Sequence, residues 1–235
     1  DFDNQDGIQH IDWNTGDIDW EGRGADRGLR GIEFDGDDIY IAASDELFVY
    51  NRDFEGQRSF KNRYLKHCHE ICRMERMIFV TSTGFDSLMA FNLDSRAFEW
   101  GYHLQKMAGA WVGHTFDPRS ESGPRPINDF HINMVHVDSA GIFLSGLNIN
   151  ALLHINSEMK VSTVCDLPVG THNSRPWRDG VVLNDTASDC VRFVSRSGTE
   201  KAFKIVTYDE TQIEQTGIDD SKVARQGFGR GLCTL

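Results

Sequence analysis

Apolar and polar positions alternate along most of this chain in short runs, each closed by a turn rich in Asp, Gly or Asn. Leu29-Arg30-Gly31-Ile32-Glu33-Phe34 leads through Asp35-Gly36-Asp37-Asp38 to Ile39-Tyr40-Ile41-Ala42-Ala43 and then to Leu47-Phe48-Val49-Tyr50. A period of two broken at this spacing predicts antiparallel strands, because only an extended chain sends alternate side chains to opposite faces. The plan recurs in Met77-Ile78-Phe79-Val80-Thr81, in Ser87-Leu88-Met89-Ala90-Phe91 and in Ala97-Phe98-Glu99-Trp100. Before the first full unit, residues 7–13 and 17–22 read as two strands around a turn at Asn14-Thr15-Gly16.

The units repeat. At an offset of 103 residues, His172 overlays His69, Val181 overlays Ile78, Leu183 overlays Val80, Thr186 overlays Thr83 and Asp189 overlays Asp86, without a gap. Copies led by Arg30 and His131 follow once two turn residues are removed or added, and Gly229-Arg230-Gly231-Leu232 echoes Leu29-Arg30-Gly31-Ile32. Five copies therefore start near residues 27, 69, 131, 172 and 229. Such a period marks a repeat architecture, and residues 1–235 are read as one all-β domain. Residues 103–130 have no counterpart in the other copies and no strand pattern. They are expected to form an ordered loop that either covers the site or packs on a neighbouring unit.

Composition narrows the partners. A net charge of -12 argues against nucleic acid and against an anionic membrane surface. No apolar run is long enough to span a bilayer, so a soluble and by preference cytoplasmic protein is expected. The 5 cysteines are odd in number and scattered, which favours reduced, buried thiols over a disulfide framework. Nothing in the sequence sets the oligomeric state.

Four-stranded units of about 40 residues around a closed ring resemble a β-propeller. Five starts imply five blades of antiparallel strands, closed by pairing of the N- and C-terminal strands so that no edge is left open. Phe130-His131-Ile132-Asn133, His172-Asn173-Ser174-Arg175-Pro176 and Gly227-Phe228-Gly229-Arg230-Gly231-Leu232 resemble signatures of an uncharacterised bacterial propeller family, domain of unknown function 4915. Thr171 stands where that family favours Pro. A broader likeness is to metal-dependent propellers of the virginiamycin B lyase, amidating-lyase and lactonase groups, whose blades converge on one cation at the channel mouth.

That resemblance implies a ring, since the first strand of each blade lines the channel. Arg30, His69, His131, His172 and Arg230 would then face a common point. Three imidazoles suit a divalent transition metal, zinc or iron, with open positions for water. Arg30 and Arg230 suit the anionic group of a small substrate, with Arg175 beside them and Glu70 as the general base. Asn133, Asn173, Trp111 and His114 are the expected substrate contacts. The expected function is a metal-dependent lyase or hydrolase acting on a small anionic molecule. The competing reading is a non-catalytic binding module for a peptide, glycan or protein. A repeated His or Arg also suits plain packing, satisfying carbonyls at strand ends. Asp45, Asp86, Asn150 and Asp189 recur at the turn before the third strand and are expected to cap it.

Overall fold

A computed structural model describes residues 7–11, 18–22, 29–209, 211, 226–227 and 229–234. β1 (Gly7–Ile11) and β2 (Ile18–Gly22) pair as a hairpin. Four antiparallel meanders follow, as the alternation predicts. The first sheet holds β3 (Leu29–Asp35), β4 (Asp38–Ala43), β5 (Glu46–Tyr50) and β6 (Gly56–Lys61). The second holds β7 (Cys68–Met74), β8 (Met77–Ser82), β9 (Ser87–Asn92), β10 (Ala97–Met107) and β11 (Ala110–Phe116). The third runs from β12 (Ile132–Asp138) through β13 (Gly141–Gly146) and β14 (Ala151–Ile155) to β15 (Val161–Asp166). The fourth comprises β16 (His172–Trp177), β17 (Gly180–Asp185), β18 (Cys190–Ser195) and β19 (Glu200–Lys204).

The sheets pack face to face in sequence order, and their interfaces are the core. Tyr40, Leu47 and Val49 meet Ile78, Val80, Met89 and Phe91 between the first and second sheets. Leu88, Tyr102 and Leu104 meet Ile132, Val135, Leu144 and Leu153 between the second and third. A smaller cluster of Met134, Leu152, Val181 and Leu183 joins the third to the fourth. β9 is buried on both faces from Ser87 to Phe91, as a strand between two packed layers must be. The first strands come together edge by edge, β3 on β7, β7 on β12 and β12 on β16, so one edge of every sheet faces a shared centre.

Two expectations give way here. The closing blade, with its N- and C-terminal strands paired, is not formed among the described residues: β1 and β2 make a two-stranded sheet, and residues 229–234 carry no strand. That glycine-rich segment is held by side chains instead of a ladder. Thr186 Oγ1 donates to the Gly229 carbonyl at 2.8 Å and Asn184 Nδ2 to that of Gly231 at 3.0 Å.

The second concerns residues 103–130, which do not form a strandless cover. β10 runs on to Met107, reverses through Ala108 and Gly109, and returns as a fifth strand, β11. Both turn residues have positive φ, 49° and 84°, the hairpin geometry usually signalled by Asn-Gly; Ala at the first place hides it from the sequence. The rest of the segment is pinned beside the first and second sheets. Tyr64 Oη donates to Ser120 O at 2.9 Å and accepts from Gly123 N at 2.8 Å, and Ile127 N donates to Gly84 O at 3.0 Å.

Among the described residues no helix is long and apolar enough to cross a membrane. Cys68, Cys72 and Cys190 are buried, as expected, but Cys165 is half-buried and Cys233 exposed.

At Gly31 two first strands approach closely. The glycine sits at φ +52°, and a β-carbon there would lie 2.7 Å from the Ile71 backbone nitrogen. Gly31→Ala is expected to destabilise the protein by roughly 2–3 kcal/mol, from the left-handed backbone and the clash with β7 together, read as a lower urea midpoint.

Candidate functional site

Each first strand bulges near its start. The extra residue is Gly31 between Arg30 and Ile32, Asn133 between Ile132 and Met134, and Asn173 between His172 and Ser174, while His69 and Glu70 share the bulge between Cys68 and Ile71. A bulge breaks the in-out alternation and re-aims its side chains. Around these bulges lies a cavity of about 260 Å³ lined by Arg30, Gly31, His69, Glu70, Asn133, His172, Asn173, Arg230 and Gly231. The structure thus brings together residues spread from position 30 to position 231.

His131 departs from its expected place. Register puts Asn133, not His131, at the place of His69 and His172: counted from the two-residue turns, Ile132↔Gly146 matches Cys68↔Ser82. The β7–β8 and β12–β13 hairpins have arms and turns of equal length, so the two residues that the sequence overlay put in the turn lie before the strand instead. His131 stands two residues earlier, at the place of left-handed His67 and itself at φ +51°, outside the cavity wall, with its ring edge-to-face on His69 at a centroid distance of 5.1 Å.

The two register-equivalent histidines share one set of contacts. His69 Nδ1 lies 2.7 Å from His67 O and 2.9 Å from Thr83 Oγ1. His172 Nδ1 lies 3.2 Å from both Gly170 O and Thr186 Oγ1. Each threonine also donates to the next segment, Thr83 to the Ile132 carbonyl and Thr186 to that of Gly229. The carbonyl-satisfying role foreseen for a repeated histidine is therefore present, though the carbonyl is two residues upstream and not on the adjacent sheet. Burial, then the charge of Arg30, holds the His69 imidazolium pKa down at about 3. Burial, then the charge of Arg230, holds that of His172 at about 4. Both rings are neutral at physiological pH.

Asp86 does more than cap a turn. Left-handed at φ 43°, its carboxylate accepts from the backbone N–H groups of Asp129, Phe130 and His131 at 2.7–3.2 Å. It clamps the lead-in to the third sheet, and burial pushes its carboxyl up to about 6 against the pull of those donors. Asn150 and Asp189 share the left-handed backbone, and the carbonyls of Asp86, Asn150 and Asp189 accept from Leu104, Leu167 and Ile205.

Glu70 reaches across the centre. Asn173 Nδ2 donates to it at 2.9 Å, and an Arg175 guanidinium nitrogen lies 3.4 Å from its other oxygen. Burial raises its pKa to about 7, the Arg175 charge opposes that rise, and nearby Glu33 adds to it. Arg175 therefore acts on Glu70 and is not among the residues that line the cavity, which is the supporting one of the two roles, supporting or substrate-contacting, open to it from its position. Trp111 and His114 are also elsewhere, because both lie on β11. Trp111 packs on Phe130 at 5.0 Å and His114 on His103 at 5.4 Å.

A three-histidine zinc or iron centre does not fit these residues. Among the described residues no group of three or more His, Cys, Asp or Glu is arranged to hold a metal ion. The positive charges of Arg30 and Arg230 bear on both His69 and His172, which opposes a dication between them.

No family model matches the chain, and no curated protein matches it. Among solved structures it is similar to virginiamycin B lyase from Staphylococcus aureus, with a TM-score of 0.55 at 12% identity over 86% of this chain and 64% of that one. A streptogramin B lyase structure gives 0.56 at 12% identity, over 87% of this chain and 63% of that one. The fold is a β-propeller. At this identity the likeness carries the fold alone, and the chain spans a little under two thirds of the length of those lyases. In a propeller the gathered edge strands are the inner strands of the blades, which places the cavity in the central channel, at the end where those strands begin.

Proposed function

We propose that the channel cavity binds a small anion at Arg30 and Arg230, and that Glu70 moves a proton on the bound molecule in lyase- or hydrolase-type chemistry. The observation that carries this is Glu70 itself: a largely buried carboxylate in the cavity wall, fixed by Asn173, with a pKa of about 7. A general acid or base works best with its pKa near the working pH. His69 and His172, near 3 and 4, are too weakly basic for that task and serve as hydrogen-bonding walls. Half-buried Arg230, whose pKa desolvation lowers, lines the cavity with Arg30, and their charge suits an anion there. The same reading takes residues 229–234 as the lead-in to a fifth blade, since Thr186 holds Gly229 as Thr83 holds Ile132.

The test is exchange of substrate hydrogens for deuterium, followed by NMR over a panel of small carboxylates in D2O, with affinities by calorimetry. Glu70→Gln is expected to keep binding and to slow exchange by roughly 10²–10⁴-fold. Arg30→Ala and Arg230→Ala are each expected to weaken binding at least tenfold. Unchanged affinity in both arginine variants sinks the anion site. Arginine-dependent binding with neither exchange nor conversion of any panel member in the parent would leave the non-catalytic binding module in its place.

A further inference from the structure

We infer that the cavity takes a hydroxylated carboxylate of the sugar-acid class, with its carboxylate at Arg30 and Arg230 and its hydroxyl groups at Asn133 and His69. This rests on the anion-binding reading above and specifies its ligand.

Proton positions in the wall decide the chemistry. A carbonyl oxygen only accepts, so His67 O at 2.7 Å requires a proton on His69 Nδ1. Thr83 Oγ1, 2.9 Å from the same nitrogen, gives its single proton to the Ile132 carbonyl and must accept as well. The neutral ring then has no proton on Nε2, which is left as an acceptor. His172 repeats the arrangement with Gly170 O and with Thr186 Oγ1, whose hydroxyl donates to Gly229 O. Two walls of the cavity are thereby built with acceptor nitrogens.

Asn133 adds a third acceptor. Its side chain lines the cavity at 7% exposure, and its buried Oδ1 meets no donor among the described residues. A buried acceptor left unmet is a standing cost that a ligand O–H removes. Sulfate brings only acceptors to acceptor walls. A neutral sugar supplies the hydroxyls but nothing for two guanidinium groups. A carboxylate bearing hydroxyls answers both halves of the wall. A volume of about 260 Å³ suits a single sugar-sized acid, lying below the roughly 300–1,000 Å³ of drug-sized sites.

Calorimetry with D-glucuronate, propionate, glucose and sulfate tests this on the intact chain. Glucuronate is expected to bind at least tenfold more tightly than each of the other three. Asn133→Ala is expected to shrink the glucuronate-to-propionate ratio to below threefold. Nitrogen-15 NMR of histidine-labelled protein should show His69 protonated at Nδ1 and bare at Nε2. Propionate or sulfate binding as tightly as glucuronate, an unchanged ratio in Asn133→Ala, or a proton on His69 Nε2 each overturns the inference. If sulfate and propionate still bind through Arg30 and Arg230 in that case, the anion site stands and only the ligand class falls. If no anion binds, both fall.

Discussion

Asp86→Ala is expected to lower the unfolding free energy by roughly 3–4 kcal/mol, among the largest effects of any single substitution in this protein. The side chain is fully buried, and its two oxygens take the N–H groups of Asp129, Phe130 and His131. Alanine leaves those donors without their acceptor. It also puts a residue with little tolerance for the left-handed region at φ 43°. Asp86→Asn keeps one acceptor oxygen and a side chain that accepts that backbone, so it should recover about half of the loss. Urea unfolding of the three proteins orders them. An alanine variant within about 1 kcal/mol of the parent would show that the clamp contributes little. Because the clamped segment ends at His131, the alanine variant should also disturb the ring contact between His131 and His69.

Glu70→Gln is expected to change how stability responds to pH. The folded-state pKa of Glu70 is raised from 4.5 to about 7, so the folded protein binds this proton more tightly than the unfolded chain does. Its contribution is therefore fully present below pH 4.5 and is lost as pH rises through about 7. Glutamine does not titrate, so subtracting its unfolding free energy from the parent's isolates the effect. The difference should fall by roughly 3 kcal/mol between pH 4.5 and pH 8, the size of a shift of about 2.5 units. The opposing trend of His69 and His172 cancels in that subtraction. Their depressed pKa values remove stability as pH falls from 6.5 toward about 4 and 3. A flat difference curve would mean that Glu70 holds its proton no better than a solvated carboxylate, and acid-base work near neutral pH would lose its agent.

The histidine prediction shows how far the chain could be read in one dimension. Overlaying residues 172–190 on their counterparts 103 positions earlier paired His69 with His172 and Thr83 with Thr186, and the two pairs make the same hydrogen bonds in space. No gap intervened there, so sequence spacing and register agreed. With His131 they parted, because two surplus residues can lengthen a hairpin turn or fall before its first strand, and only the hydrogen-bond ladder shows which. Trp111 and His114 were misplaced for a related reason: a turn at Ala108-Gly109 carries no asparagine to announce it, so two strands were read as a loop.

What the amino-acid sequence determined by itself was local: a period of two, turn residues at regular spacing, and a repeat that marked which strands are equivalent. Those properties depend on neighbours a few positions away, and backbone sterics enforce them. The tertiary structure alone decided the pairing of Glu70 with Asn173 and Arg175, the hold of Asp86 on the segment before β12, and which leaders line the cavity. Contacts between residues 103 apart depend on how whole sheets stack and where each inner strand bulges, and one residue of register moves a side chain to the other face.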